Sequence, residues 1–84
     1  MEKIIINNYD PNKGLELKWK DGFIIKVLFE DGEVRLSANN EGLESLANHF
    51  LNLAQKEVPV GSHIHLDEYN SLEEGSFDFC IEKI

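Results

Sequence analysis

The dipeptide Asp31-Gly32, set between two alternating apolar runs, constrains this chain more than any other feature. Asp-Gly as a two-residue loop favours the type I′ turn, whose twist matches that of a β-hairpin. Before the loop, Phe23, Ile25, Val27 and Phe29 fall on one strand face; after it, Val34, Leu36 and Ala38 alternate with Glu33, Arg35 and Ser37. A two-residue loop sets Phe29 opposite Val34, Val27 opposite Leu36 and Ile25 opposite Ala38. The apolar sets then coincide, because directly opposed residues share a face. The cost is Glu30 opposite Glu33, mild at a solvated hairpin end.

A second Asp-Gly, Asp21-Gly22, requires different chemistry. Leu15, Leu17 and Trp19 alternate with Glu16 and Lys18, the period of a half-buried strand. A two-residue loop would put the apolar sets of this run and the next on opposite faces. A three-residue loop, Lys20-Asp21-Gly22, sets Trp19 against Phe23 and Leu17 against Ile25, with Gly22 left-handed. Two more strands are expected at Lys3 to Asn7 and Ser62 to Asp67. A last one at Ser76 to Lys83 has Phe77, Phe79 and Ile81 inward.

Leu43, Leu46, Ala47, Phe50, Leu53 and Ala54 follow the helical i, i+3, i+4, i+7 template, with Leu51 widening the stripe. This predicts a helix with Phe50 in the core, capped by Asn39 or Asn40 and ended by Pro59 and Gly61. His49 falls at the margin of the stripe. The expected fold is a single α+β domain over residues 1–84: two layers, a six-stranded mostly antiparallel sheet in the order β-β-β-β-α-β-β, one helix on one face. The other sheet face presents Ile24 and Leu28, a possible homodimer surface.

Charge is uneven. Residues 1–40 hold six basic and seven acidic side chains, residues 41–84 two and nine, which together make the net −8. The densest acidic run is the loop from Asp67 to Gly75. Such a field repels a phosphate backbone and attracts a basic protein, so nucleic acid is not an expected partner. One cysteine among 84 residues cannot close an internal disulfide, which fits a reducing compartment. The apolar run Ile4-Ile5-Ile6 is too short for a secretory h-region, and no run approaches a membrane span, so a cytoplasmic location is expected.

The chemical candidates are few. On a strand, His63, His65 and Asp67 project from one face, a start for a metal site but an incomplete one: no HExxH, cysteine pair or second His cluster accompanies them. A structural or partner-contact role is the better-supported reading of the three. Cys80 has no basic strand neighbour to activate it, Ser62 and Ser76 lack a nucleophile-elbow context, and the glycines are too scattered for a phosphate loop. No catalytic set, metal or cofactor is expected.

Three blocks carry a resemblance. They are Glu41-Gly42-Leu43-Glu44-Ser45-Leu46-Ala47-Asn48-His49-Phe50-Leu51-Asn52-Leu53-Ala54, Gly61-Ser62-His63-Ile64-His65-Leu66-Asp67, and Glu74-Gly75-Ser76-Phe77-Asp78-Phe79. Together they resemble the Immunity protein 32 family of bacterial polymorphic toxin systems, with weaker likeness at Leu15 to Trp19 and Leu36 to Asn39. The Gly-Ser-His-Ile-His-Leu-Asp block is the most specific. The resemblance implies a small α+β cytoplasmic protein, encoded beside a toxin, that binds the toxin and protects the producing cell. It supplies no catalytic set.

The expected contact surface is then His63, His65, Asp67, Glu68, Tyr69, Glu73 and Glu74, with Tyr9 a further aromatic candidate and a cationic toxin as partner. The alternatives are a small metal-binding protein using His63, His65 and Asp67, and a homodimeric interaction domain.

Overall fold

The computed structural model describes residues 9–84. Five elements follow one another: β1 (Ile25–Glu30), β2 (Glu33–Ala38), α1 (Asn40–Leu53), β3 (His63–Leu66) and β4 (Phe79–Glu82). The six-stranded sheet expected from the sequence does not form. Among the described residues, four strands make two separate two-stranded antiparallel sheets, β1-β2 and β3-β4, in the order β-β-α-β-β. The expected strand at Lys3 to Asn7 lies outside the described residues.

The hairpin has the anticipated register, Phe29 opposite Val34, Val27 opposite Leu36, Ile25 opposite Ala38 and Glu30 opposite Glu33. Both loop residues have positive φ, Asp31 at 53° and Gly32 at 75°, as a type I′ turn demands. Ile25 and Val27 are buried, but Phe29 and Val34 lie beyond the core and are exposed.

Leu15 to Trp19 alternate in burial as a strand would, yet form no ladder. Amides along the 9–24 stretch are taken by side chains around α1 instead. Tyr9 N–H donates to Gln55 Oε1 at 3.2 Å, Lys20 N–H to Ser45 Oγ at 2.9 Å and Ile24 N–H to Asn39 Oδ1 at 2.9 Å. The expected loop is present as a turn, with Phe23 N–H donating to Lys20 O at 3.2 Å and Gly22 at φ 84°. Trp19 stacks on Phe23 with ring centroids 4.5 Å apart.

Asn39 caps α1, its Oδ1 accepting from Gly42 N–H at 2.8 Å as well as from Ile24, while its Nδ2 donates to Gly22 O at 2.9 Å. The helix is rotated from the expected stripe. Its buried side is Gly42, Ser45, Leu46, His49, Asn52 and Leu53, whereas Leu43, Leu51 and Ala54 are exposed and Phe50 is 44% exposed. The cause is Gly42. A Cβ there would stand 2.7 Å from Ile24 O and 2.9 Å from Ile25 Cγ1, so the helix backbone rests directly on the start of β1. A bare backbone position lets the helix approach the strand that closely, and Ser45 then follows inward to hold Lys20.

The core is Ile25, Val27, Leu46, Leu53, Val58, Ile64, Leu66 and Leu72, drawn from both sheets, the helix and the loops. β3 and β4 pair His63 with Glu82, Ile64 with Ile81, His65 with Cys80 and Leu66 with Phe79, shorter than the expected strands at both ends. Phe77, expected inward, is exposed. Lys83 Nζ donates to Gln55 O at 2.7 Å and Val58 O at 2.8 Å, tying the chain end to the segment that leaves the helix.

The rotation is testable. Gly42→Ala should lower stability by about 1–3 kcal/mol through overpacking, although alanine is the better helix former by about 1 kcal/mol. Phe50→Ala should cost well under the about 3–5 kcal/mol of a buried phenylalanine, and Leu53→Ala about 2–5 kcal/mol. Denaturant titration of the three variants checks the order; a Gly42→Ala protein more stable than the parent would contradict the packing.

Candidate functional site

The segment after β3 is acidic in sequence and is also tightly built. Asp67 Oδ1 accepts the N–H groups of Tyr69 at 2.9 Å and Asn70 at 3.0 Å, while Asp67 O accepts from Ser71 and Leu72. Asn70 answers from the other side, its Oδ1 accepting from Asp67 N–H at 3.1 Å and its Nδ2 donating to His65 O at 3.1 Å. This mutual Asx arrangement closes a turn without help from the solvent. Leu72 is buried and anchors the loop, and Glu68 Oε2 accepts Gly75 N–H at 3.0 Å.

The far side of the loop is fastened to β1. Glu73 N–H donates to Ile25 O at 2.9 Å, Phe77 N–H to Val27 O at 2.9 Å, and Val27 N–H to Ser76 Oγ at 3.2 Å. The segment read from the sequence as an acidic loop thus occupies the outer edge of β1 and joins one small sheet to the other. It exposes an aromatic ring and three carboxylates in one hydrogen-bonded segment: Tyr69 is 91% exposed, and Glu68, Glu73 and Glu74 are exposed as well.

The anticipated trio of His63, His65 and Asp67 is divided. Both imidazoles are exposed on β3, opposite Glu82 and Cys80. His63 Nδ1 lies 3.3 Å from Gly61 O, and His65 Nε2 lies 3.5 Å from Asp78 Oδ2. The Asp67 carboxylate is turned into its own loop. Among the described residues no three His, Cys, Asp or Glu side chains gather where they could hold a metal ion. An open cleft of about 830 Å³ runs between residues 14–19 and β3 and brings Tyr9, His63, His65 and Asn70 to one lining. Ile24 is exposed, and Leu28 is half-buried and lines an apolar groove with Phe29, Val34 and Phe77.

Two features were missed in the sequence reading. One is an apolar groove at the turn end of the hairpin, where Phe29, Val34 and Phe77 are exposed together. The other is His49, fully buried rather than marginal, with Trp19 meeting its ring edge-on at 4.3 Å. Neither imidazole nitrogen has a hydrogen-bond partner. The signal for both was present in part: His49 stands in the i, i+3, i+4, i+7 series with Gly42, Ser45 and Leu46, and Phe29 abuts a hairpin tip.

The described residues therefore form an α+β module that offers a rigid acidic surface, and no helix among them is long and apolar enough to cross a membrane. The family model of Immunity protein 32 matches residues 33–84, from β2 to the last residue, and the chain belongs to that family. No curated protein and no solved structure matches it. Membership of an immunity family points to a binding role rather than catalysis, and implies a cognate toxin as the partner.

Burial without a partner pushes the His49 imidazole down from 6.5 to about 4, because the charged form would lose its hydration. In the unfolded chain the same imidazole takes its proton at about 6.5. The unfolded state therefore binds more protons as pH falls, so this contribution to stability is whole above pH 6.5 and is lost between 6.5 and about 4. The loss amounts to about 3 kcal/mol. His49→Leu should remove that acid-side slope while leaving stability at pH 7.5 equal or higher, since two unpartnered buried nitrogens disappear. Urea midpoints from pH 8 to 4 check it; identical slopes in variant and parent would show that the ring protonates in place.

Proposed function

We propose that this protein binds and neutralises a cognate polymorphic toxin through the acidic half of its surface, with the turn Asp67 to Gly75 at the centre of the contact. The observation that carries the reading is Tyr69: an aromatic side chain 91% exposed, held on a hydrogen-bonded turn whose segment also exposes Glu68, Glu73 and Glu74. An exposed tyrosine on a rigid frame supplies contact area at little cost in conformational entropy, which is why such residues dominate binding hot spots. His63 and His65 on the adjoining strand extend the surface, and Asp67 serves it by shaping the turn.

The charge distribution supports a basic partner. The acidic excess belongs to residues 41–84, and among the described residues of that half the amine of Lys83 is directed inward to Gln55 O and Val58 O. Toxins that act on nucleic acid carry cationic surfaces, and an acidic inhibitor can occupy such a surface without any chemistry of its own.

The reading is tested with the toxin encoded in the adjacent gene. Co-expression of this chain should rescue cells from that toxin, and the purified pair should associate. Tyr69→Ala should weaken the complex about tenfold or more with no change in melting temperature. The double change Glu73→Lys, Glu74→Lys should slow association, and raising salt from 0.05 to 0.5 M should weaken parental binding in the same direction. Toxicity unrelieved by co-expression, or affinity indifferent to both salt and Tyr69, would refute it.

A further inference from the structure

We infer that the groove at the turn end of the β1-β2 hairpin is a second anchor for the same toxin, receiving an apolar side chain that basic residues flank. The inference rests on the toxin-binding reading above and adds the place and chemistry of a contact.

The groove follows from where the helix is fastened. Asn39 and Gly42 hold the first turn of α1 against Ile24, Ile25 and Ala38, the end of the hairpin remote from its loop. The loop end of the same apolar face is left open. Val27, Leu28, Phe29, Val34, Phe77 and Phe79 line a groove of about 380 Å³ there, and Asp78 is the one charged residue in its wall. Phe29, Val34 and Phe77 are 57%, 61% and 58% exposed. Single exposed apolar side chains are ordinary; three sharing one concavity mark an interaction site. The volume is at the small end of ligand pockets, about 300–1,000 Å³, and the lining lacks the converging polar groups that orient a small molecule. A partner's side chain suits it better.

Charge decides which partner. The hairpin tip carries Glu30, Asp31 and Glu33, and Asp78 stands in the wall, against Arg35, which is already engaged by Glu33 at 3.0 Å. A second copy of this chain would bring the same carboxylates face to face, at a net −8 on each molecule. A basic surface meets no such repulsion. The groove wall is also linked to the acidic turn by side-chain contacts: Asp78 lies 3.5 Å from His65, and His65 O is bonded by Asn70, the neighbour of Tyr69. One partner can therefore reach both.

The test titrates the purified product of the adjacent toxin gene against the parent, Val34→Lys, Phe77→Ser and the charge-only pair Asp31→Asn, Asp78→Asn, with Tyr69→Ala as the loop control. All the altered side chains are exposed, and melting curves confirm folding. Val34→Lys and Phe77→Ser should each weaken binding about tenfold or more, and the asparagine pair should weaken it less while flattening its salt dependence. If Tyr69→Ala weakens the complex and the three groove variants match the parent, the groove assignment is wrong and the toxin reading stands. If the parent fails to bind the toxin, both fall. A parental dimer at micromolar concentration that Val34→Lys dissociates would give the groove to a second copy and overturn the inference.

Discussion

The contact between Gly42 and the backbone of β1 governs this structure. With Ile24 O only 2.7 Å and Ile25 Cγ1 2.9 Å from where a side chain would begin, the bare helix backbone meets both the main chain and a side chain at the start of the strand, with nothing interposed. Asn39 fixes the same joint, capping the helix with the oxygen that also accepts Ile24 N–H and donating to Gly22 O. Position and rotation of the helix are set together. From the rotation follows the inward stripe of Ser45, His49 and Asn52; from the position follows which part of the hairpin is covered. The two consequences pull in different directions, since the inward polar stripe holds the 9–24 segment while the uncovered hairpin end leaves apolar surface in water.

The two sheets are too small to stand alone, because two-stranded hairpins are marginal in water. They are joined by the loop Asp67 to Phe77, which lays its amides along β1 where another strand would otherwise lie. The binding candidate is thus part of the framework. A loop already held by Asp67, Asn70 and the β1 carbonyls has little freedom to lose on association, which removes one of the larger costs of forming a complex.

The local chemistry of turns and caps was legible in the sequence. Asp31-Gly32 dictated the hairpin register residue by residue, Gly22 its left-handed turn, and the Asn39-Asn40 pair the start of the helix, which Asn39 caps. What depended on choosing between faces was not. Hydrophobicity alone ranks Leu43 and Phe50 above Gly42 and Ser45, and so turned the helix the wrong way; the small residues were the truer sign, because close approach needs them. Leu15 to Trp19 had the burial rhythm of a strand, but rhythm reports which side faces the core and not where the amides go. Counting such runs as strands produced six where four are formed among the described residues. In the site, alternation placed His63 and His65 outward, whereas the use of Asp67 inside its own turn depended on Tyr69 and Asn70 amides that periodicity does not address. The groove was illegible for a further reason. Phe29 and Val34 carry the pattern of core residues, and only the seat of the helix at the other end of the hairpin leaves them uncovered.

Immunity poses a physical problem in which speed and persistence are separate demands. A toxin must be met before it acts and then held. Long-range attraction between opposite charges raises the encounter rate but contributes little once salt and water screen the contact, whereas buried apolar anchors hardly alter the encounter and chiefly slow release. On the proposed reading the two demands fall to different groups. The exposed Glu68, Glu73 and Glu74 of the Tyr69 segment would provide the field, and the hairpin end, with Asp78 at its border, the apolar contact. Specificity would then require a toxin surface that matches both at a fixed separation. The separation is set by the backbone bonds that tie the loop to β1, so changes in loop chemistry alter charge while leaving the spacing of the two anchors intact.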